Sequence, residues 1–91
     1  MNNKSVINAF ICGQSAKSSN GNLHSNGDKL YSYYTVIAER VNGTIVLNRT
    51  KYSVSTSKIQ TWLLSSVISS GLPHKEVYNV RLGEYNLQKY L

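Results

Sequence analysis

Leu30-Tyr31-Ser32-Tyr33-Tyr34-Thr35-Val36-Ile37-Ala38-Glu39-Arg40-Val41-Asn42-Gly43-Thr44-Ile45-Val46-Leu47-Asn48-Arg49-Thr50-Lys51-Tyr52 is the stretch that decides the fold. β-branched and aromatic residues, which suit a pleated, half-buried surface, flank a central Asn-Gly pair. Asn42 and Gly43 both tolerate positive φ, as the two central positions of a type I′ hairpin turn require. A two-residue loop sets the register: Val41 opposes Thr44, Arg40 opposes Ile45 and Ala38 opposes Leu47. Extended outward, Val36 meets Arg49, Tyr34 meets Lys51 and Tyr33 meets Tyr52. Side-chain alternation then places Leu30, Tyr34, Val36, Ala38, Arg40, Ile45, Leu47, Arg49 and Lys51 on one face. Tyr31, Tyr33, Ile37, Glu39, Val41, Val46 and Tyr52 fall on the other, so each face is partly apolar and partly covered.

Before this hairpin, Asn26-Gly27 predicts a shorter one, pairing residues 22–25 with 28–31. Residues 5–12, rich in Val, Ile and Phe, read as a buried strand ending at Gly13. Residues 14–21 read as a mobile polar loop. After the hairpin, residues 57–70 predict the one helix. Ser57 and Gln60 fit a capping box, and Ile59, Trp62, Leu63, Val67 and Ile68 form an apolar stripe. Gly71 stands where a helix C-terminus wants a left-handed residue, and Pro73 forbids continuation. Tyr78, Val80 and Leu82 alternate as in a strand, and residues 84–91 fit either a strand or a helical turn. The expectation is a single α+β domain over residues 1–91: an antiparallel sheet of about four to five strands with one helix packed across a face. Phe10, Val36, Ile37, Leu47, Trp62 and Leu63 are the expected core. Loss of the Trp62 ring carries the cost of a buried large aromatic, about 3–5 kcal/mol.

Composition narrows the function. A chain of 91 residues has a thin core and little room for a deep catalytic cleft besides. Charged residues make up 15% of the chain, against about 25% in an average domain. Ten Lys and Arg face four acids, Asp28, Glu39, Glu76 and Glu84, for a net charge of +6. That excess favours an anionic partner: nucleic acid, nucleoprotein or an acidic protein surface. Cys12, the single cysteine, excludes an internal disulfide and sits in an apolar run that reads as burying it. No stretch approaches the roughly 18 apolar residues of a membrane-crossing helix, and no secretory leader pattern opens the chain, so the expected location is cytoplasmic.

Catalytic, cofactor and metal sites are not expected. His24 and His74 have no partner at metal-ligand spacing, no serine or cysteine has a base in a recognisable relation, and no glycine-rich phosphate loop joins a strand to a helix. The candidate surface is instead basic and aromatic. Tyr34, Arg40, Arg49 and Lys51 share one sheet face in the register above, where a ring stacks on a base while cations hold phosphates. Lys17 in the 14–21 loop, with Tyr85 and Tyr90 near Lys89, marks a second surface of the Tyr-, Ser- and Asn-rich kind that suits protein recognition. A homodimer through an exposed sheet edge stands beside a monomer.

Leu30-Tyr31-Ser32-Tyr33, then Thr50-Lys51-Tyr52-Ser53, then Thr56-Ser57-Lys58 and Gln60 resemble a small domain of bacteriophage and mobile-element proteins, over roughly residues 5–62. Where that pattern often has His before the Gln, Ile59 stands here, which favours a plain helix start over a catalytic or metal role. The resemblance implies a phage-type binding protein in an infected bacterial host, acting on a host protein or nucleoprotein complex. An anti-CRISPR inhibitor of an effector complex, reaching guide RNA or an acidic patch, belongs to this class. The alternative is a stand-alone single-stranded nucleic-acid-binding module.

Overall fold

The computed structural model describes residues 1–91 and is an α+β fold built on one sheet. In chain order the elements are α1 (Asn3–Ile11), β1 (Ser15–Lys17), β2 (Leu23–Asn26), β3 (Lys29–Ser32), β4 (Thr35–Val41), β5 (Thr44–Asn48), α2 (Val54–Ser69), β6 (His74–Val77) and a 3₁₀ turn (Gln88–Tyr90). The six strands lie in sequence order, β1 to β6. All neighbours are antiparallel except β5 and β6, which are parallel because α2 carries the chain back across the sheet. The sheet is thus larger than expected and mixed, and there are two α-helices rather than one.

The central hairpin has the register read from Asn42-Gly43. Val41 pairs with Thr44, Arg40 with Ile45 and Ala38 with Leu47, and both turn residues have positive φ. Beyond Ala38 the sequence register fails. Leu30 pairs with Ala38 but Tyr31 pairs with Val36, so Ile37 is an extra residue in β4. This β-bulge reverses the alternation. Ile37 joins Ala38 on the helix-covered face, and Val36 turns to the opposite one beside Val46. The Tyr34–Lys51 and Tyr33–Tyr52 pairs do not form. Tyr33 and Tyr34 are instead the two-residue turn between Ser32 and Thr35, with Tyr33 at φ 57°.

Four further expectations are corrected. Residues 5–12 are mostly helix, not strand. Asn2 caps α1 by accepting from the Ser5 amide at 2.8 Å, and Val6, Ile7 and Phe10 bury one helical face. Gly13, at φ 76°, ends it in a Schellman motif: the Gly13 amide donates to Phe10 and the Gln14 amide to Ala9. Cys12 caps that end and is exposed, not buried. The 14–21 loop contains a strand, β1. The β2–β3 turn centres on Gly27-Asp28, because the Asn26 side chain accepts from the Asp28 and Lys29 amides and so closes the turn from outside it.

α2 starts one turn earlier than expected. Ser53 is its cap and accepts from the Thr56 amide at 3.2 Å. Gln60, freed from capping, is buried and donates to the carbonyls of Asn48 and Thr50, fastening the helix to the end of β5. Gly71 closes α2 as expected, donating to Ile68 while Leu72 donates to Val67. β6 occupies only 74–77, because Asn79 at φ 58° breaks the extended run.

Two cores result. α1 and α2 cover one face of the sheet, with Phe10, Leu23, Leu30, Ile37, Leu47 and Leu63 between the layers. The irregular chain after β6 covers part of the other face, laying Val80 and Leu87 on Val36, Val46 and Val77. Trp62 is only half-buried at the margin of the first core, with the Lys4 ammonium 5.1 Å from its ring. The anchor is therefore Phe10, fully enclosed, and not Trp62 as the sequence leads one to expect. In urea denaturation, Phe10→Ala is expected to cost about 3–5 kcal/mol and Trp62→Ala about 1–2 kcal/mol. A larger loss for Trp62→Ala than for Phe10→Ala would contradict this layering.

Candidate functional site

The five residues expected to contact a partner are not one patch. Arg40 is committed to the fold: its guanidinium donates to the carbonyls of Phe10 and Ile11 at 2.9 and 3.0 Å and to Gly27, and lies 5.0 Å from the Phe10 ring. It thereby satisfies carbonyls at the C-terminus of α1, where the helix dipole favours a cation. Arg49 is half-buried, 3.3 Å from Glu76 and within hydrogen-bond reach of the Gln60 carbonyl. Lys51 is exposed in the connection from β5 to α2. Tyr34 and Lys17, which the sequence places on separate surfaces, are brought together along one groove.

Two grooves flank the Tyr33–Tyr34 turn. The first, about 600 Å³, runs beside β1 and β2 and is bordered by Lys17, Asn22, His24 and both turn tyrosines. No acid lines it. His24 stacks on Tyr31 with ring centroids 4.8 Å apart and planes 8° from parallel, one step across the ladder from Lys17. The second groove, about 590 Å³, lies between the turn, Tyr52 and Leu82, and no charged residue lines it. The hydroxyl groups of its Ser, Thr and Tyr52 side chains are already engaged: Ser32 with Thr56 at 3.2 Å, Ser53 with Thr56, Thr35 with the Gly83 amide and Tyr52 with the Val80 carbonyl. What remains to be offered there is apolar surface and the Tyr34 hydroxyl. Tyr34 is 86% exposed, Leu82 76% and Tyr33 54%.

The left-handed Tyr33 was not legible in advance, since no Gly, Asn or Asp marks the turn. A non-glycine residue in that region carries a strain of roughly 1–2 kcal/mol. It is held by the Tyr33 amide donating to the Asn22 carbonyl at 2.7 Å, and by Asn22 reaching the Tyr33 hydroxyl at 3.4 Å. Leu82, whose alternation with Tyr78 and Val80 suits a strand, borders the groove because Gly83 is tied to Thr35.

The surface charge follows from where the acids go. Glu39 and Glu84 are enclosed, and Glu76 is paired with Arg49. Glu39 accepts from the Leu87 amide at 2.8 Å and the Gln88 side chain at 3.0 Å. Glu84 accepts from Tyr90 and from the amides of Tyr85 and Asn86, and ion-pairs with Arg81 and Lys89, each at 3.1 Å. The positive charge on the surface is thus opposed by few exposed acids. No three His, Cys, Asp or Glu side chains converge as a metal site would need, and no helix is long and apolar enough to cross a membrane. Compared with family models, curated proteins and solved structures, the chain matches none.

Burial by itself would push the Glu84 carboxyl up. Hydrogen bonds from Lys89, Tyr90, Arg81 and the Tyr85 amide outweigh that and hold it at about 2, below its ordinary 4.5. A carboxyl depressed in the folded state stabilises the fold above its unfolded value, and that contribution is lost as pH falls through the folded one. Thermal melts are therefore expected to drop as pH falls from about 4.5 toward about 2. Glu84→Gln should be less stable at neutral pH and flatter across that window; a variant as steep as the parent would remove Glu84 from this role.

Proposed function

We propose that this chain is a non-enzymatic, phage-type binding protein that docks on a host protein complex handling nucleic acid, such as a CRISPR effector, and inhibits it. The Tyr33–Tyr34 turn carries this reading. It holds two tyrosines out at the meeting of two grooves, one basic and one uncharged and apolar. Tyrosine contributes a large, rigid contact area at low entropic cost, the usual make-up of a binding hot spot. The polar groups beneath the second groove are already satisfied, so an apolar side chain of a partner enters it without leaving them unpaired. A partner with an acidic surface complements the first.

Direct single-strand binding is the second reading, supported by Lys17 beside the stacked His24 and Tyr31. Against it, Arg40 and Arg49 bond to the chain itself and not to a groove that a phosphate backbone would follow.

The test is plasmid interference in bacteria carrying a programmed effector complex. Expression of the chain should restore transformation, and the pair Tyr34→Ala with Leu82→Ala should abolish the rescue while leaving the thermal melt unchanged. In direct binding to the purified complex, Tyr34→Ala should weaken affinity by roughly 30-fold, the scale of a hot-spot residue. Full activity of the double variant would remove the turn from the interface. Binding of free oligonucleotide that collapses between about 50 and 200 mM salt would transfer the site to nucleic acid.

A further inference from the structure

β1 is an edge strand, paired only with β2. Its partners are Ser15↔Asn26, Ala16↔Ser25 and Lys17↔His24, and the Ser18 amide continues the ladder by donating to the Leu23 carbonyl at 2.8 Å. Bonded and non-bonded pairs alternate along an antiparallel ladder. Ala16 therefore exchanges hydrogen bonds with Ser25. Ser15 and Lys17 occupy the non-bonded positions, and each aims an N–H and a C=O away from the sheet. No loop, helix or side chain of the protein takes up these groups. They form a short free edge of the kind that accepts an added strand.

The opposite edge differs. There β6 presents Lys75 and Glu76 together, and Glu76 is held by Arg49. The β1 edge carries Lys17 and no acid, and the groove beside it adds His24 and no acid. The molecule's enclosed carboxylates, Glu39 and Glu84, face the C-terminal segment instead. The two edges thus have different charge, and only the β1 edge is uniformly receptive to negative side chains.

We infer that β1 is a strand-addition site for an extended acidic segment of the partner protein. The segment's main chain pairs with Ser15 and Lys17, and its acidic side chains lie along the groove toward Tyr34. This inference rests on the reading that the chain acts on a protein. It adds a main-chain component that is independent of the tyrosine contacts.

The probe is a capped hexapeptide alternating glutamate and valine, titrated into the isotope-labelled full chain and followed by amide NMR and hydrogen exchange. The Ser15 and Lys17 amides should gain protection of about tenfold or more, as in a newly paired strand. Alternate N-methylation of the peptide, and replacement of its glutamates by lysine, should each remove that gain. Lys17→Pro deletes an outward N–H on an edge strand, where proline is tolerated, and should abolish the effect. Lys17→Gln keeps the N–H and should only weaken it. An unchanged amide spectrum away from residue 17 shows that Lys17→Pro is folded; Ser15→Pro serves in its place if it is not. Shifts confined to Tyr33, Tyr34 and Leu82, with Ser15 and Lys17 still exchanging freely, would overturn the edge site while leaving the tyrosine interface standing. Absence of any peptide effect would overturn it as well. Failure of plasmid rescue would instead strike the inhibitor reading, independently of the edge.

Discussion

Two enclosed carboxylates hold together the part of this molecule that has almost no regular structure. The chain after β6 covers part of a sheet face with only a 3₁₀ turn of its own. Its backbone groups therefore need partners outside any helix or strand. Glu84 gathers amides, a phenol and two cations around one side group, and its own carbonyl accepts from the Val36 amide at 2.7 Å. Glu39, arriving from β4, accepts the Leu87 amide. A buried carboxylate is costly alone and tolerable when fully hydrogen-bonded, and every buried side-chain polar atom here has a partner. Through these contacts Val80 and Leu87 are seated on the sheet, and Leu82 is brought to the edge of the apolar groove.

The same use of charge shapes the outer surface. Three of the four acids, Glu39, Glu76 and Glu84, are placed inside or in pairs, while Asp28, Lys17 and Lys51 stay exposed. Arginine does the reverse. Arg40 closes the end of α1 and Arg49 ties β6 toward α2. Its planar, multi-donor head suits carbonyl and carboxylate partners better than lysine does. A basic composition is therefore a poor guide to which cations meet a partner. The short-range work of building a small domain uses some of them first.

The sequence was legible where a local signal was sufficient. Asn42-Gly43 gave the turn and the register of β4 on β5, Gly71 and Pro73 gave the end of α2, and Leu63 and Leu47 gave core positions. It misled where two local signals competed. Val6, Ile7 and Phe10 suit a strand by residue type and a helix by spacing, and the Asn2 cap with tertiary packing chose the helix. Ser57 and Gln60 matched a capping box, but Ser53 starts the helix one turn sooner and Gln60 is needed to satisfy the carbonyls of Asn48 and Thr50. Of the candidate site, Tyr34 and Lys17 were named from sequence, yet only the fold sets them on one groove.

By itself, then, the sequence determined the elements whose hydrogen bonds close within a few residues: the central hairpin, the end of the long helix and the α+β class. Turn chemistry, capping and side-chain periodicity are local properties, written in adjacent residues. Only the tertiary structure decided the bulge at Ile37, the parallel β6, the commitment of Arg40 and Arg49, and the raised Tyr33–Tyr34 turn. Each of these satisfies a group supplied from far along the chain, and a polar group's distant partner leaves no mark on its neighbours in sequence.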